Sequence, residues 1–490
     1  MAAVEFQGRR MIMDVRIKAG PLIGTAYVPP SKSYAHRMLI CAALAEGNST
    51  VKAINKSDDV MATLACIEAL GAQAELVPLD QEAAQKAVRE HMKTKGLPAV
   101  GALVGLKDLV NAKVTGAACG ARLAESGCGT ERAGDAEAAE GAEGAGGDEA
   151  AEGAEGAGTA AACSGAELPV YPCNESGSTL RFFIPLALVL TGGGVFTCTP
   201  RLIERGISVY EEIFADKDIS IETGEDSITV RGKLEAGHYQ VRGDISSQFV
   251  TGLFFALPLL ENGSIIELIP PVESRPYIDI TIDALKEFGI NILEFRENAF
   301  RIEGGQKYTP CDIRVEGDWS AAAFLFAFNE GGSSLSVQGL KETTRQGDHL
   351  GKDYLWALRD AGAKVDLSSC PDLGPVLFAV AALRCGGRFT GIRRLRLKES
   401  DRVAAMAEEM AKIGVDMEIL DENNAFVYPS RLHTPSEPLS GHNDHRVVMA
   451  LAVLLSVTGG VIEGAEAVNK SWPGFFEEME ELGLQVEYLD

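Results

Sequence analysis

NDHRVVMALAVLLSVTGG, residues 443–460, is the stretch on which the fold turns. An Asn-Asp pair opens it, a long apolar run follows, and two glycines close it. That is the pattern of an N-capped helix stopped by glycine and followed by a strand. A helix apolar on every side belongs inside a domain. The phrase recurs five times, as SYAHRMLICAALAEG (33–47), STLRFFIPLALVLTGG (178–193), SSQFVTGLFFALPLLENG (246–263), WSAAAFLFAFNEGG (319–332) and DLGPVLFAVAALRCGG (372–387). Their expected starts are Ser33, Ser178, Ser246, Trp319–Ser320, Asp372 and Asn443–Asp444. Six buried helix N-termini supply unpaired N–H groups and the positive ends of six dipoles. Lys32, Arg37, Arg181 and Arg446 stand near these starts. Together they predict a cleft for a strongly anionic small molecule.

From Ser178 onward the starts recur at roughly 50–75 residues, the mark of a repeated supersecondary unit. Short β-branched runs such as VFTCTP (195–200), SIIELI (264–269) and SLSVQG (334–339) lie between them. A second kind of helix follows, as in IDITIDALKEFGI (278–290), DHLGKDYLWALRDAGA (348–363) and DRVAAMAEEMAKIGV (401–415). Its apolar residues recur at three-to-four spacing opposite a charged face, which suits a helix lying between sheet and solvent. The unit is therefore strand, buried helix, strand, exposed helix, strands. Six units make an α/β protein of two sets of three.

A chain of 490 residues with 46% hydrophobic content can bury large cores and suggests two to four domains. No apolar stretch reaches ~18 residues, so no membrane helix is expected. The start, MAAVEFQGRRMIMDVRIKAG, lacks a secretory apolar segment. Ten cysteines without CxxC pairs suggest reduced thiols in a cytoplasmic protein. Seven histidines without an HExxH cluster give no zinc site, and no metal is expected. The net charge of −25 disfavours nucleic acid and anionic membrane as partners, and neither is expected. It does not exclude an anionic substrate, because a cleft lined by Lys, Arg and helix N-termini can be positive within an acidic protein.

Between the first and second phrases the gap is about double the usual period. It holds AAEGAEGAG at 138–146, repeated at 150–158, and nine acidic residues with no Lys or Arg over 133–170. Such a tract cannot bury enough apolar area to offset chain entropy. Residues 79–170 are expected to be an insertion between two strands of the first unit, mostly disordered. DQEAAQKAVREHMKTKG (80–96) is the candidate for a surface helix within it.

Four constellations carry chemistry. Lys32-Ser33 with Arg37 one turn on suits a phosphate or carboxylate, although solvated charge is the plainer account. Ser246-Ser247-Gln248 places two hydroxyls and an amide at a helix mouth, as caps or as phosphate donors. In the run Arg393 to Arg402, an extended strand would put Arg394, Arg396 and Lys398 on one face. Lys398 beside Glu399 pairs an amine with a carboxyl, a combination suited to proton transfer. Asn443-Asp444-His445-Arg446, with Lys470-Ser471-Trp472-Pro473, is a cap or a base-bearing loop.

In order along the chain these phrases resemble the 5-enolpyruvylshikimate-3-phosphate synthase family. The matching stretches are PPSKSYAHR, KSDDV (56–60), ESGSTLR, TPRLIERG, SSQF, SRPYIDIT, VEGDWS, CPD, LRLKESDR, NDHR and NKSWPGFF. The resemblance spans the chain except about 79–170. It implies the two-domain enolpyruvyl-transferase fold, each domain three βαβαββ repeats around buried parallel helices. The expected division is 1–28 with 316–490, carrying both termini and the acid–base residues, and 29–315, carrying the serines. It also implies attack of the 5-hydroxyl of shikimate 3-phosphate on phosphoenolpyruvate, with loss of phosphate, in a cytoplasmic monomer without cofactor. Phosphoenolpyruvate is also the substrate with which glyphosate competes in this family.

By position, Lys32 would lie between the two substrates. Ser33, Arg37, Ser246, Ser247, Ser274 and Arg394 would hold shikimate 3-phosphate, and Gln248 would touch both. Asp372 resembles the base for the 5-hydroxyl, with Lys398 beside it, and Glu399 the acid for the methylene carbon. Gly177, Arg201, Arg402, Arg446 and Lys470 would grip phosphoenolpyruvate. Two positions depart from the family pattern, where asparagine is usual. One is Glu175, which would repel substrate unless turned away or paired, with Arg181 the candidate partner; the other is Arg394.

Two rival readings stand. The sister enzyme acting on UDP-N-acetylglucosamine carries a cysteine in a mobile loop that TPRLIERG lacks. A non-catalytic anion-binding repeat protein would have no use for Asp372, Lys398 and Glu399.

Overall fold

The computed structural model describes residues 13–94, 103–117 and 167–489. The six apolar phrases are helices: α1 (Lys32–Leu44), α2 (Gly177–Leu190), α3 (Ser247–Ala256), α4 (Trp319–Glu330), α5 (Gly374–Leu383) and α6 (His445–Thr458). Their N-caps differ from expectation at four places. Ser31 and Ser176 precede α1 and α2, so Ser33 and Ser178 sit within the first turn. Asp318 caps α4, accepting from the N–H groups of Ser320 and Ala321 at 2.8 and 3.1 Å. Asp372 lies in a short 3₁₀ turn ahead of α5. Ser246 and Asp444 cap α3 and α6 as read from sequence.

Two hydrophobic cores enclose these helices. One gathers residues 34–315 around α1, α2 and α3, where Phe182 meets both His36 and Phe255 edge-on. The other gathers residues 15–28 with 321–484 around α4, α5 and α6, and takes in Val104. Phe182, Phe255 and Phe378 are fully buried, and truncating any one of them would cost about 3–5 kcal/mol. The chain crosses between the cores near residues 28–34 and again near 315–321.

Five of the six sheets share one plan: a parallel pair, then an antiparallel pair beginning beside the second strand. In one, Val170–Asn174 runs parallel to Gly193–Cys198, and Ser227–Gly232 and Ile219–Thr223 follow antiparallel. Two sheets are completed from a distance. Asp312–Arg314 pairs with Asn48–Ile54, and N-terminal Asp14–Lys18 lies between Gly460–Glu463 and Gln485–Leu489. The sixth sheet departs from the repeat. It has three parallel strands, Ser334–Gln338, Ile23–Tyr27 and Leu103–Val104, with no hairpin among the described residues.

The segment 79–170 is not one disordered insertion. Gln81–Thr94 is helical, within the stretch 80–96 named as the candidate surface helix. Val110–Thr115 is an integral strand, paired antiparallel with both Asn48–Ile54 and Gln73–Pro78. Its alternating burial shows why: Val110, Ala112 and Val114 face the core. The Ala-Gly-Glu tract at 118–166 lies outside the described residues.

The described residues 81–94 and 103–109 form a strap beside the crossing. Leu103–Val104 adds to Ile23–Tyr27 in the other core's sheet, and Leu106 and Leu109 pack with Ala53 and Tyr27. Gly105, at φ +100°, leaves no room for a side chain, since a Cβ would lie 2.0 Å from the Tyr27 carbonyl oxygen. Lys107 pairs with Glu481 at 3.4 Å.

Candidate active site

A cavity of about 220 Å³ lies where the two cores face one another. Of the sixteen residues picked from sequence, all but Arg446 and Lys470 line it. Nine cationic side chains and four carboxylates face it, so the interior is positive although the chain carries −25.

Arg402 organises the acid–base side. Its side chain is 1% exposed and bonds three carboxylates: Asp372 through Nη1 at 2.8 Å, Glu399 through Nη2 at 2.9 Å and Asp444 through Nε at 2.8 Å. Asp372 also takes Lys398 Nζ at 3.1 Å and Arg446 Nη2 at 3.2 Å. Burial pushes the Asp372 carboxyl up, but Arg446, Lys398 and Arg402 together hold it well below the usual range. Glu399 follows the same logic, with Arg402 and Arg205 overriding burial. Both are carboxylates. Burial lowers the Lys398 ammonium, which Asp372 partly restores.

The 3₁₀ turn Arg393–Leu397 replaces the extended strand expected there. Arg394 and Arg396 both reach the cavity nonetheless. Arg394 donates to the Ile245 carbonyl at 3.1 Å and to Ser274 Oγ. Ser274 holds a left-handed conformation, φ 55°, at the mouth of the helix Arg275–Glu287. Ser246, Ser247 and Gln248 open α3; Gln248 accepts from Arg181 Nη1 at 2.5 Å and donates to Ser178 Oγ at 2.8 Å.

Lys32 Nζ meets Asp59 at 2.7 Å. Burial lowers this ammonium, but Asp59 and Glu399 more than compensate and keep it charged. Arg37 is 2% exposed and bonds Thr281 Oγ1 and the carbonyls of Ser33 and Tyr277. Arg201 donates through Nε to the Glu399 carbonyl at 3.1 Å, joining the two cores. Gly177 lies beneath two guanidinium groups: an added Cβ would come within 2.9 Å of Arg205 Nη2 and 3.2 Å of Arg181 Nη1.

Several lining residues escaped the sequence reading. Asp59, Arg205 and Tyr277 lie inside the phrases KSDDV, TPRLIERG and SRPYIDIT without having been singled out. Tyr277 Oη donates toward Asp348 at 3.2 Å and Asp372 at 3.4 Å. Asp348 lies within DHLGKDYLWALRDAGA, which shows only helical spacing. Burial and then Asp372 push its carboxyl up to about 7. The buried Nε atoms of Arg181, Arg205 and Arg396 make no hydrogen bond to the described residues. Buried donors left open around one cavity are suited to an anion.

The pairing expected for Glu175 is different. Its carboxylate meets Lys470 Nζ at 2.7 Å, not Arg181.

The profile of the EPSP synthase (3-phosphoshikimate 1-carboxyvinyltransferase) family matches residues 17–100 and 148–479. The chain belongs to that family. It is 33% identical to the 3-phosphoshikimate 1-carboxyvinyltransferase of Clostridium kluyveri, over 96% of this chain and 98% of that protein. The enzyme of that name from Clostridium novyi is 31% identical, over 96% and 97%. Among solved structures, the EPSP synthase of Acinetobacter baumannii superposes with a TM-score of 0.66 at 19% identity, covering 98% of this chain and all of that one. The enolpyruvyl transferase NikO of Streptomyces tendae gives 0.65 at 12% identity, covering 98% and 99%. The fold is thus the α/β enolpyruvyl-transferase fold. The stretch 101–147, outside the family match, falls within the expanded region between Gln73–Pro78 and Val170–Asn174.

Proposed function

We propose that this chain transfers the enolpyruvyl group of phosphoenolpyruvate to the 5-hydroxyl of shikimate 3-phosphate, releasing phosphate. Its membership of the family supports the reaction, and one feature of the site carries it: two carboxylates, Asp372 and Glu399, share Arg402 at the wall of a cation-rich cavity. Ser246, Ser247 and Ser274, with Arg394, suit the phosphate of shikimate 3-phosphate, and Arg37 steadies Ser33 and Tyr277 beside them. Arg201, Arg402 and the bare backbone at Gly177 suit phosphoenolpyruvate, with Lys32 and Gln248 between the substrates. Arg446 acts through Asp372, and Lys470 stands at the edge of this half.

Asp372, kept ionised by its cations, accepts the 5-hydroxyl proton, and Lys398 steadies the developing alkoxide. Glu399 must be protonated to donate to the methylene carbon, and as phosphate leaves its carboxylate takes a proton back from the resulting methyl; yet Arg402 and Arg205 by themselves hold it ionised. Phosphoenolpyruvate supplies the change. Its anionic groups neutralise those guanidinium charges and raise the Glu399 carboxyl toward the neutral form. The acid is thereby armed only when substrate is present.

No helix of the described residues is long and apolar enough to cross a membrane. We place the enzyme in the cytoplasm, acting as a monomer on small-molecule substrates, with side-chain cations in the role a metal would otherwise fill. Phosphate release tests the function. It should require phosphoenolpyruvate and shikimate 3-phosphate together; release with UDP-N-acetylglucosamine in place of shikimate 3-phosphate would overturn it.

A further inference from the structure

Glu175 stands on the turn between Val170–Asn174 and α2, two residues before Gly177, in the 34–315 core. Its carboxylate reaches into the other core. Oε2 accepts from Lys470 Nζ at 2.7 Å, and Oε1 accepts from Asn443 Nδ2 at 3.0 Å. Lys470 Nζ also donates to the Asn443 carbonyl at 2.5 Å, which closes a ring of three groups across the cleft. The Lys470 and Glu175 side chains are only 5% and 15% exposed. Glu175 and Asn443 each lie two residues from a residue that lines the cavity, Gly177 and His445.

An ammonium so placed is occupied. Standing at the edge of the phosphoenolpyruvate half, the same ammonium can serve that substrate fully only by releasing a carboxylate. We propose that Glu175 is a specificity-setting residue that competes with phosphoenolpyruvate for Lys470. The substrate half of this inference rests on the function proposed above; the ring itself does not. Displacing Glu175 leaves its charge near an incoming anion, so its presence weakens binding of that substrate alone. Shikimate 3-phosphate, held at the serines and Arg394, should not sense it. Turnover, set at Asp372 and Glu399, should not sense it either.

The test is a kinetic cycle of Glu175→Gln, Lys470→Gln and the double variant, with both substrates varied. Removing the competing charge should lower KM for phosphoenolpyruvate about three- to tenfold, a range set by the modest worth of one largely buried ion pair. KM for shikimate 3-phosphate and kcat should stay within about twofold, a split that a merely structural role would not produce. On the Lys470→Gln background the same change should bring no gain, since the competition acts through the lysine. An unchanged or raised KM for phosphoenolpyruvate in Glu175→Gln overturns the inference. So does an equal gain on both backgrounds, which would make Glu175 a diffuse charge and not a competitor. Failure of the parent to turn over the two substrates would instead overturn the function, so the two failures are distinct.

Discussion

Arg402 shows how one buried side chain sets the chemistry of its neighbours. A guanidinium with 1% exposure would be costly unpaired, and three carboxylates answer it. Asp372→Asn separates charge from shape at this point. The amide keeps the volume but cannot accept a proton, so kcat should fall ~10²-fold or more, as for loss of a positioned acid–base group. Arg402, Arg446 and Lys398 then lose their shared counter-charge. The site becomes more positive, so KM for neither anionic substrate should rise. Steady-state phosphate release measures both quantities; kcat within about threefold of the parent would remove Asp372 as the base. Sequence marked Asp372, Lys398 and Glu399 because their motifs are contiguous. It could not mark Glu175's partner, because Lys470 lies in the other core, where only folding brings it near.

At the scale of elements, the loop before α6 is held by a titratable clasp. His442 and Asn443 both adopt left-handed backbone, φ 48° and 51°. Glu409, on the helix Arg402–Ala411, holds the loop by accepting from His442 Nε2 at 2.8 Å and from the Ser440 N–H at 2.9 Å. Lys412 Nζ sits on the same carboxylate at 3.0 Å, and Glu408 stands nearby. The Glu409 hydrogen bond raises the His442 imidazolium above its ordinary value, against burial. With the folded value above the unfolded one, this stabilisation is complete below about pH 6.5 and lost as pH rises through the folded value. Thermal unfolding across pH 6–9 should therefore show a steeper loss of Tm in the parent than in His442→Gln. Parallel curves would mean the clasp is not titrating.

The same scale shows why the basic run 393–398 misled. Alternating Arg and Leu has the period of a strand. Yet Leu395 is buried and Leu397 is 56% exposed, whereas a strand would put both on one face. Ile392 and Leu395, three apart, both enter the core, and the 3₁₀ turn follows from that.

For the whole molecule, the two sets of three units were legible because each buried helix is apolar all round and glycine-stopped. The strand Val110–Thr115 was not, because its short alternation lies beside a low-complexity tract and was absorbed into it. Its position now narrows what can be removed. Excising 118–166 joins Ala117 to Glu167 and leaves Val110–Thr115 and Val170–Asn174 complete. Activity should stay within about twofold and Tm within a few degrees, since no described core residue is lost. A collapse of kcat in a protein that still unfolds cooperatively would assign that tract a role.

The strap has a mechanical meaning. Two covalent crossings alone form an axle on which one lobe can swing, but also slew. Leu103–Val104, laid beside Ile23–Tyr27 just before the first crossing, adds a third rail to that axle. Because the rail is hydrogen-bonded and lies close to the pivot, it resists slewing far more than swinging. Ser274 and Asp372, on opposite lobes, are thereby kept in one relative setting. That setting is stiffened in part by two residues that lie outside the cavity lining.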